Sequence, residues 1–333
     1  MKKLLIVKPC FSIGNVGDAA LIKTIVSLHK SDEIFIPQTK NELNNIDSKL
    51  FDTIIYFGND CVAYYMGGVP IKQIKEFLNA NKKVHIINTS WGNNPSNESI
   101  EFLKSVANNP NFQIYMRDKY SHELIQKNIK FHNTPILTAD LAFLCKKNTS
   151  KKVDKLEEWI NKNDKPIIGI NTHYDFKDFN RLVRIGIKKF ITNNKNKYRF
   201  LFIPHDSRKN EYKDLQLLCK SCKDIDGYTT KYLDPEYEKY MTSKLYLVIT
   251  GRMHLSILTI PNNIPAIAIA YNGVKAKGTF QHWGLEDFVI EPKNINILND
   301  KVKYVEDNYE TIQNKLVSKQ KHVKELAYKQ ILC

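Results

Sequence analysis

The sequence predicts an α/β protein made of two doubly wound domains, and three observations support this. Short apolar runs of strand length alternate with helical patterns along nearly the whole chain. Polar residues follow most of these runs, as expected where parallel strands end at a ligand crevice. A polar, Lys-rich stretch at 146–165 interrupts the alternation, and the pattern restarts at residue 166. At 333 residues, the chain is also long for a single core.

The first half of the chain carries the strand–helix alternation from its first residues. Apolar runs, each followed by small or polar residues, occur at 3–8, 33–37, 51–60, 83–92, the start of 112–127, and 135–144. After the first run, Gly14 and Gly17 bracket Asn15, and Asp18 stands at the start of a helical pattern. A glycine loop before a helix N-terminus predicts a cradle for a phosphate or another polar ligand. The alternative is a tight turn in which Asp18 only caps the helix.

The second half repeats the alternation, with strands expected at 166–173, 198–206 and 264–271 and a helix at 209–222. The last 30 residues have an amphipathic helical pattern. We therefore predict an N-terminal Rossmann-like domain, a linker, a C-terminal Rossmann-like domain, and C-terminal helices. Their bounds are 1–148, 149–165, 166–300 and 301–333. Two such domains facing each other across a cleft form the architecture called glycosyltransferase-B-like.

The stretch 245–257, LYLVITGRMHLSI, is the most informative part of the chain. An apolar run ends at Thr250-Gly251, and Arg252, Met253 and His254 follow before an apolar helical pattern begins. A permanent cation and a titratable ring thus stand where α/β folds bind ligands. The pattern predicts a centre that binds an anion and can perform acid/base chemistry.

The charge balance limits the classes of partner. The net charge is +15, and only six of the 50 basic residues are Arg. Such a balance is typical of a solvated Lys-rich surface, or of a protein that meets an acidic substrate, a membrane surface with a lipid-linked substrate, or nucleic acid. No nucleic-acid-binding module is recognisable, so we expect no nucleic-acid partner. No apolar run reaches the length of a transmembrane helix, and we expect a cytoplasmic protein, with peripheral association at the inner face of the membrane as an alternative.

The six cysteines are scattered and predict a reduced protein. Cys219 and Cys222 form a single C-x-x-C pair inside a helical pattern. A zinc site needs about four ligands, so an ordinary helix face is the simpler interpretation.

The motifs, taken together, resemble the polysaccharide pyruvyl transferase family. The matching elements are GNVGDAAL at 14–21, MRDKYS at 116–121, TADLAF at 138–143, IGIN at 168–171, IPHD at 203–206, TGRMHLSI at 250–257 and PAIAIAY from 265. The resemblance implies two Rossmann-like domains, the N-terminal one on the acceptor side and the C-terminal one on the donor side. The reaction that it implies is transfer of the enolpyruvyl moiety of phosphoenolpyruvate to a sugar, usually as a cyclic ketal. It also implies that Arg117, Arg252 and His254 hold the donor and supply proton chemistry.

Two departures from the family pattern affect loops beside the expected cleft. The chain has Gly58-Asn59-Asp60-Cys61 where the family often has three glycines. Tyr271 and Lys275 are four residues apart, one more than usual. Both departures bear on the acceptor, and the first also favours the alternative of a nucleotide-sugar glycosyltransferase. A basic, sugar-binding or membrane-surface scaffold that is not an enzyme is a third hypothesis.

The predicted site follows from the motifs and their charges. We assign acid/base catalysis to His254 with Asp140 or Asp18 as carboxylate partners. Binding of phosphoenolpyruvate is assigned to Arg117, Arg252, Met253, His254 and Lys275, and acceptor binding to Asn15, Trp91, His205 and Tyr271. The acceptor is expected to be a glycan or a lipid-linked oligosaccharide, and phosphoenolpyruvate is a co-substrate, so neither a cofactor nor a metal is expected.

Three structural alternatives accompany these assignments. Arg117 could pair with Asp118 or Glu123 on the surface. Arg252 could form an interdomain ion pair. His205 and Asp206 are adjacent on a strand end and so point in opposite directions, which predicts that they do not bond each other.

Overall fold

The structure, a computed structural model, describes residues 1–7, 14–60, 71–92, 96–172, 177–207, 210–270 and 273–331. They form two compact units, each described by itself below. The first unit consists of Met1–Ile13, Leu21–Leu141 and His322–Cys333, and the second of Gly14–Ala20 and Ala142–Lys321. Each contains a parallel six-stranded sheet with helices. The prediction of an α/β protein with two Rossmann-like domains is confirmed.

The sheet of the first unit has the strand order β2-β1-β3-β4-β5-β6, and every pairing is parallel. Its strands are β1 (Lys3–Val7), β2 (Glu33–Phe35), β3 (Thr53–Asp60), β4 (Lys83–Ser90), β5 (Phe112–Met116) and β6 (Ile136–Leu137). The central strands are buried on both faces, which explains why their sequences are continuous apolar runs without alternation.

The sheet of the second unit has the order β12-β11-β10-β7-β8-β9, also with parallel pairings only. Its strands are β7 (Ile167–Asn171), β8 (Arg199–Phe202), β9 (Gly227–Thr229), β10 (Leu247–Thr250), β11 (Ala266–Ile269) and β12 (Val289–Ile290). Counted within the unit, this is the 3-2-1-4-5-6 order of dinucleotide-binding sheets. The order reverses between β7 and β10, and the crevice of such folds lies at that point.

Thirteen α-helices are assigned within the described residues. They are α1 (Val16–Leu28), α2 (Lys40–Asn44), α3 (Ile71–Asn79), α4 (Asn97–Val106), α5 (Lys119–Asn128), α6 (Asp154–Ile160), α7 (Lys177–Asn194), α8 (Glu211–Ser221), α9 (Pro235–Thr242), α10 (Met253–Thr259), α11 (Gly273–Gln281), α12 (Leu298–Asp307) and α13 (Tyr309–Tyr328). Local capping explains several helix starts. Asp118 accepts a hydrogen bond from the Ser121 N–H at the start of α5, and Asp234 accepts one from the Glu236 N–H at the start of α9. No helix among the described residues is both long and apolar enough to cross a membrane.

The compact units differ from the predicted segments in three places. Residues 14–20, including the first turn of α1, belong to the second unit. The predicted linker contains α6 and also belongs to the second unit, because its apolar residues Leu156 and Ile160 are buried there. The C-terminal stretch is divided, since 322–333 belongs to the first unit.

Candidate active site

The second unit gathers its polar side chains at the carboxyl edge of its sheet. Asn171 ends β7, His205 and Asp206 follow β8, and Arg252 and His254 follow β10. Parallel strands end at one edge, so the topology alone brings these segments together. All five lie at or beside the switch point between β7 and β10. The candidate site of this unit therefore lies where its fold class binds ligands.

Glu211, in the first turn of α8, accepts hydrogen bonds from groups at the ends of three strands. Its Oε2 accepts hydrogen bonds from the backbone N–H groups of His205 (2.8 Å) and Asp206 (3.1 Å) and from Asn171 Nδ2 (3.3 Å). Its Oε1 accepts a hydrogen bond from Arg252 Nε at 2.5 Å and also contacts an Nη of the same guanidinium. Glu211 is only 1% exposed. This two-point contact fixes the direction of the guanidinium, because a planar fork bound to a carboxylate has little freedom to rotate.

Arg252 therefore lies in an ion pair within the second unit. Asp206 adds a second carboxylate 3.7 Å from an Nη atom. Glu211 and Asp206 belong to the same unit as Arg252, whereas the structural alternative for Arg252 was an interdomain ion pair. Two carboxylates offset the charge of Arg252, so a further anion would be held by the direction of its N–H groups more than by net charge.

The loop at 14–18 is part of the same site. The Val16 N–H donates to the His205 carbonyl (3.0 Å), and the Ser207 N–H donates to the Gly14 carbonyl (2.7 Å). The Asn15 side chain accepts hydrogen bonds from the N–H groups of Gly17 (2.8 Å) and Asp18 (3.2 Å). Asn15 thus caps α1, a role that the structural alternative had given to Asp18.

Gly17 lies directly against the His254 side chain. A Cβ at position 17 would be 2.2 Å from His254 Cγ and 2.3 Å from its Nδ1. Real Cβ atoms do not make such contacts, so this spacing requires glycine at position 17. The two-glycine loop thereby brings the first turn of α1 and the half-buried imidazole of His254 into contact. The positive end of the α1 dipole is near the ring as a consequence.

His205 has a carboxylate partner, but it is not the adjacent Asp206. Its Nδ1 lies 2.9 Å from Glu238 Oε1 on α9, and both side chains are at most 1% exposed. Asp206 Oδ2 instead accepts a hydrogen bond from Asn15 Nδ2 at 3.5 Å. Adjacent strand-end residues point in opposite directions, as the sequence predicted. The Glu238 contact orients an imidazole that is inside the unit and not on its surface, whereas an acceptor-binding role had been predicted for it.

Tyr232 lies near the charged cluster of the second unit. Burial raises the pKa of its hydroxyl, with Glu211 and Asp206 adding to the effect. The hydroxyl accepts a hydrogen bond from the Tyr212 N–H at 3.2 Å. Tyr232 is therefore a neutral phenol at ordinary pH.

In the first unit, Arg117 is 1% exposed and held at the carboxyl edge of β5. Its Nε donates to Ser90 Oγ (2.8 Å), and one Nη donates to Asp140 Oδ2 (2.9 Å). Ser90 in turn donates to Asp118 Oδ2 at 2.9 Å. The surface pairing considered for Arg117 is wrong, because its partners are buried. Asp140, predicted as a carboxylate partner for His254, has Arg117 as its partner in this unit.

The structure also corrects the prediction for Trp91 and places the remaining predicted residues that it describes. Trp91 is 6% exposed and packs in the core of the first unit, so it offers no open ring face for a sugar. Met253 begins α10, and its sulfur is 3.5 Å from Thr279 Oγ1 on α11. Lys275, half-buried, lies on α11 four residues before Thr279. Tyr271 lies outside the described residues.

The residues missed by the sequence interpretation share a weak local signal. Glu238 and Ser90 contact partners at least 27 residues away, and Glu211 bonds both the nearby His205 and Asp206 and the distant Arg252. Glu211 could have been noticed as an acidic residue in the first turn of a helix that follows a strand. Ser90 ends β4, where polar residues had already been noted.

The C-x-x-C pair has no sign of redox or metal chemistry. Burial raises the pKa of both thiols, of Cys219 and of Cys222. Reactive cysteines need the opposite shift. Within the described ranges, no three His, Cys, Asp or Glu residues are arranged to hold a metal ion.

The two parallel sheets and the edge-clustered charges define the class of the protein, an α/β enzyme-like fold of the glycosyltransferase-B type. Solved structures of that class resemble it over nearly the whole chain. S. aureus MnaA, solved with UDP, has a TM-score of 0.62 at 11% identity, covering 95% of this chain and 91% of MnaA. UDP-GlcNAc 2-epimerase from Neisseria meningitidis, bound to UDP-GlcNAc, has a TM-score of 0.57 at 13% identity, covering 99% and 100%. Anabaena HepE, in complex with UDP-glucose, has a TM-score of 0.60 at 10% identity, covering 100% and 98%.

The particular family is given by the sequence itself. The profile of the polysaccharide pyruvyl transferases matches residues 15–273, and the chain belongs to that family. The match confirms the resemblance inferred from the motifs. A comparison with functionally curated protein sequences gives no match.

Proposed function

We propose that the protein transfers the pyruvyl group of phosphoenolpyruvate to a sugar of a surface polysaccharide or of its lipid-linked precursor, forming a pyruvate ketal. One observation carries the proposal: His254 is held against Gly17 two residues after an arginine whose direction Glu211 fixes. Family membership supports the transferase class. The geometry adds a titratable ring and directed N–H donors beside each other in the second unit.

The reaction needs those two kinds of group. Phosphoenolpyruvate carries a carboxylate and a phosphate, which directed guanidinium N–H groups bind well. A proton is added to the methylene carbon, and C2 acquires cationic character. One sugar hydroxyl attacks C2, the bond from C2 to the phosphate oxygen breaks, and a second hydroxyl closes the ketal. Of the two hydroxyl protons, one balances the new methyl group and the other leaves with phosphate.

We assign the proton transfers to His254 and the binding of the donor anion to Arg252. Histidine is the side chain that most often serves as a general acid or base in enzymes. Arg117 is assigned to the donor as well, from the first unit. Lys275 and Met253, on adjacent helices, are assigned to the donor side of the second unit.

The direct test measures phosphate release from phosphoenolpyruvate in the presence of candidate glycans. We expect His254→Ala to lower kcat more than it changes KM. Arg252→Lys, which keeps the charge and loses the fork, should raise KM. His322→Ala and Arg181→Ala are controls for the loss of a histidine and of an arginine, because both residues are exposed on helices. If wild-type protein neither releases phosphate nor binds phosphoenolpyruvate in a calorimeter, the proposal fails.

A nucleotide-sugar glycosyltransferase is the second candidate. Its support is that the solved relatives of similar fold were captured with UDP or UDP-sugars. A thermal-shift comparison separates the candidates. Stabilisation by UDP-sugars without any effect of phosphoenolpyruvate would favour the glycosyltransferase, and the reverse would favour pyruvyl transfer.

A further inference from the structure

Asn88 connects the Arg117–Asp140 pair of the first unit to the strand β4. Its Nδ2 donates to Asp140 Oδ2 at 3.3 Å, and its Oδ1 accepts the Leu141 N–H at 2.7 Å. Asn88 and Asp140 are both 0% exposed. The side chain of Asn88 thereby fixes the short segment that carries Asp140, and Asp140 in turn holds Arg117.

The backbone of Asn88 is irregular. Its φ of 51° lies in the left-handed region, which non-glycine residues seldom occupy. The pairing between β4 and β5 shifts register between Ile86 and Thr89, so the irregularity is a bulge in the strand. Bulges often redirect a side chain beside a functional site. A non-glycine residue in the left-handed backbone region costs free energy, and this conformation persists only where the surrounding contacts hold it.

Gln330, near the C-terminus of the chain, holds this bulge. Its Oε1 accepts the Asn88 N–H at 2.9 Å, and its Nε2 donates to the Ala139 carbonyl at 2.7 Å. Gln330 is 0% exposed and belongs to the first unit with the rest of 322–333. One amide thus joins the bulge to the residue before Asp140. An apolar residue at 330 would leave a buried N–H and a buried carbonyl unsatisfied.

We infer that Gln330 is a positioning residue, which holds Asn88 and the Asp140 segment so that Asp140 directs the guanidinium of Arg117. The inference rests on the proposed function only where it assigns Arg117 to phosphoenolpyruvate. Nothing in the local sequence of the C-terminus indicates this role, since the two partners are 242 residues apart.

The kinetic test compares Gln330→Ala with a matched control. Gln73→Ala also removes a buried glutamine of the first unit that bonds a backbone carbonyl, the Leu43 carbonyl, at 3.4 Å. We expect Gln330→Ala to raise KM for phosphoenolpyruvate and lower kcat/KM by at least about tenfold, as small displacements of binding groups do. Gln73→Ala should change kcat/KM less than about twofold. Gln330→Glu keeps the shape and the acceptor for the Asn88 N–H and loses the donor to the Ala139 carbonyl. It tests the same bridge without leaving a cavity, and it should give an intermediate loss.

A spectroscopic test is independent of the donor. The chain has only six arginines, so the guanidinium Nε–H region of an NMR spectrum is sparse. The Arg117 signal is assigned from Arg117→Lys. Gln330→Ala or Gln330→Glu should shift that signal and speed its hydrogen exchange, and Gln73→Ala should not.

The two readouts separate the hypotheses. If wild-type protein does not turn over phosphoenolpyruvate, the proposed function fails, and the Arg117 signal still decides whether Gln330 positions it. The inference is overturned if both Gln330 variants leave the Arg117 signal and kcat/KM as they are in wild type, or change them no more than Gln73→Ala does.

Discussion

Replacing Gly17 with alanine tests whether His254 must lie against the first turn of α1. The new Cβ would be 2.2, 2.3 and 2.5 Å from Cγ, Nδ1 and Cβ of His254. Ordinary contact begins at 3.4 Å, so the side chain must retreat by about 1 Å. Rotating the ring does not suffice, because the His254 Cβ is itself too close. The imidazole and the helix start must therefore move apart.

The size of the effect follows from two opposing contributions. In an ordinary helix the change from glycine to alanine stabilises by up to about 1 kcal/mol. Against this, a shift of about 1 Å in a reacting group can cost about 100-fold in rate, or about 3 kcal/mol. We expect kcat for phosphate release to fall between about 10-fold and 100-fold, with a smaller change in KM.

The matched control is Gly186→Ala in α7, also in the second unit. Its Cβ would be 2.4 Å from Ile295 Cγ1, a comparable overlap away from the charged cluster. That variant should lose melting temperature and keep the kcat of wild type. Wild-type kinetics for Gly17→Ala, with an unchanged melting temperature, would refute the idea that this contact places His254.

Three further predictions concern buried charges. Glu211→Gln removes the carboxylate that Arg252 pairs with, and should lower the unfolding free energy by about 3 kcal/mol in urea titrations. A loss below about 1 kcal/mol would contradict the idea that Glu211 holds the carboxyl edge together. Burial lowers the pKa of His85 to about 4. The unfolded chain protonates His85 near pH 6.5, so the fold loses stability as the pH falls from about 6.5 to about 4. We expect up to about 3 kcal/mol of unfolding free energy to be lost over that range in wild type but not in His85→Gln. Parallel curves of unfolding free energy against pH for the two proteins would contradict this prediction. Glu238→Gln should shift the ¹⁵N signals of His205 towards another tautomer, and an unchanged spectrum would mean that the 2.9 Å contact does not orient the ring.

The sequence predicted the second unit well because its signals are local. In the stretch 245–257, a strand, a glycine turn and a helix follow each other directly, and β10 and α10 form where expected. Burial on both faces requires continuous apolar strands, which are easy to recognise. The strand order could not be read in the same way, because the return of the chain from β9 to β10 depends on long-range packing.

Partners far apart in the chain explain what the sequence did not reveal. Glu211 pairs with Arg252 over 41 residues, and Gln330 reaches Asn88 over 242. Gln330 has no local pattern that marks it, and Glu211 is marked only by its position in the first turn of a helix. Trp91 shows the opposite error, because a strand-end aromatic was interpreted by its position, although its side chain turns into the core.

The buried arginines show how location decides between a structural and a functional interpretation. Arg199 is 0% exposed at the amino end of β8, stacks on Trp159 and donates to the Ile160 carbonyl. Backbone carbonyls, an aromatic ring and the Asp226 carboxylate, 3.3 Å from its Nε, hold it, and it ties α6 to the sheet. Arg117 and Arg252 are also buried and also contact carboxylates, but they stand at the carboxyl edges of the sheets. A buried ion pair is seldom more stabilising than apolar packing. Two cations in fixed directions at the carboxyl edges of the sheets therefore support the proposed role of Arg117 and Arg252 in anion binding.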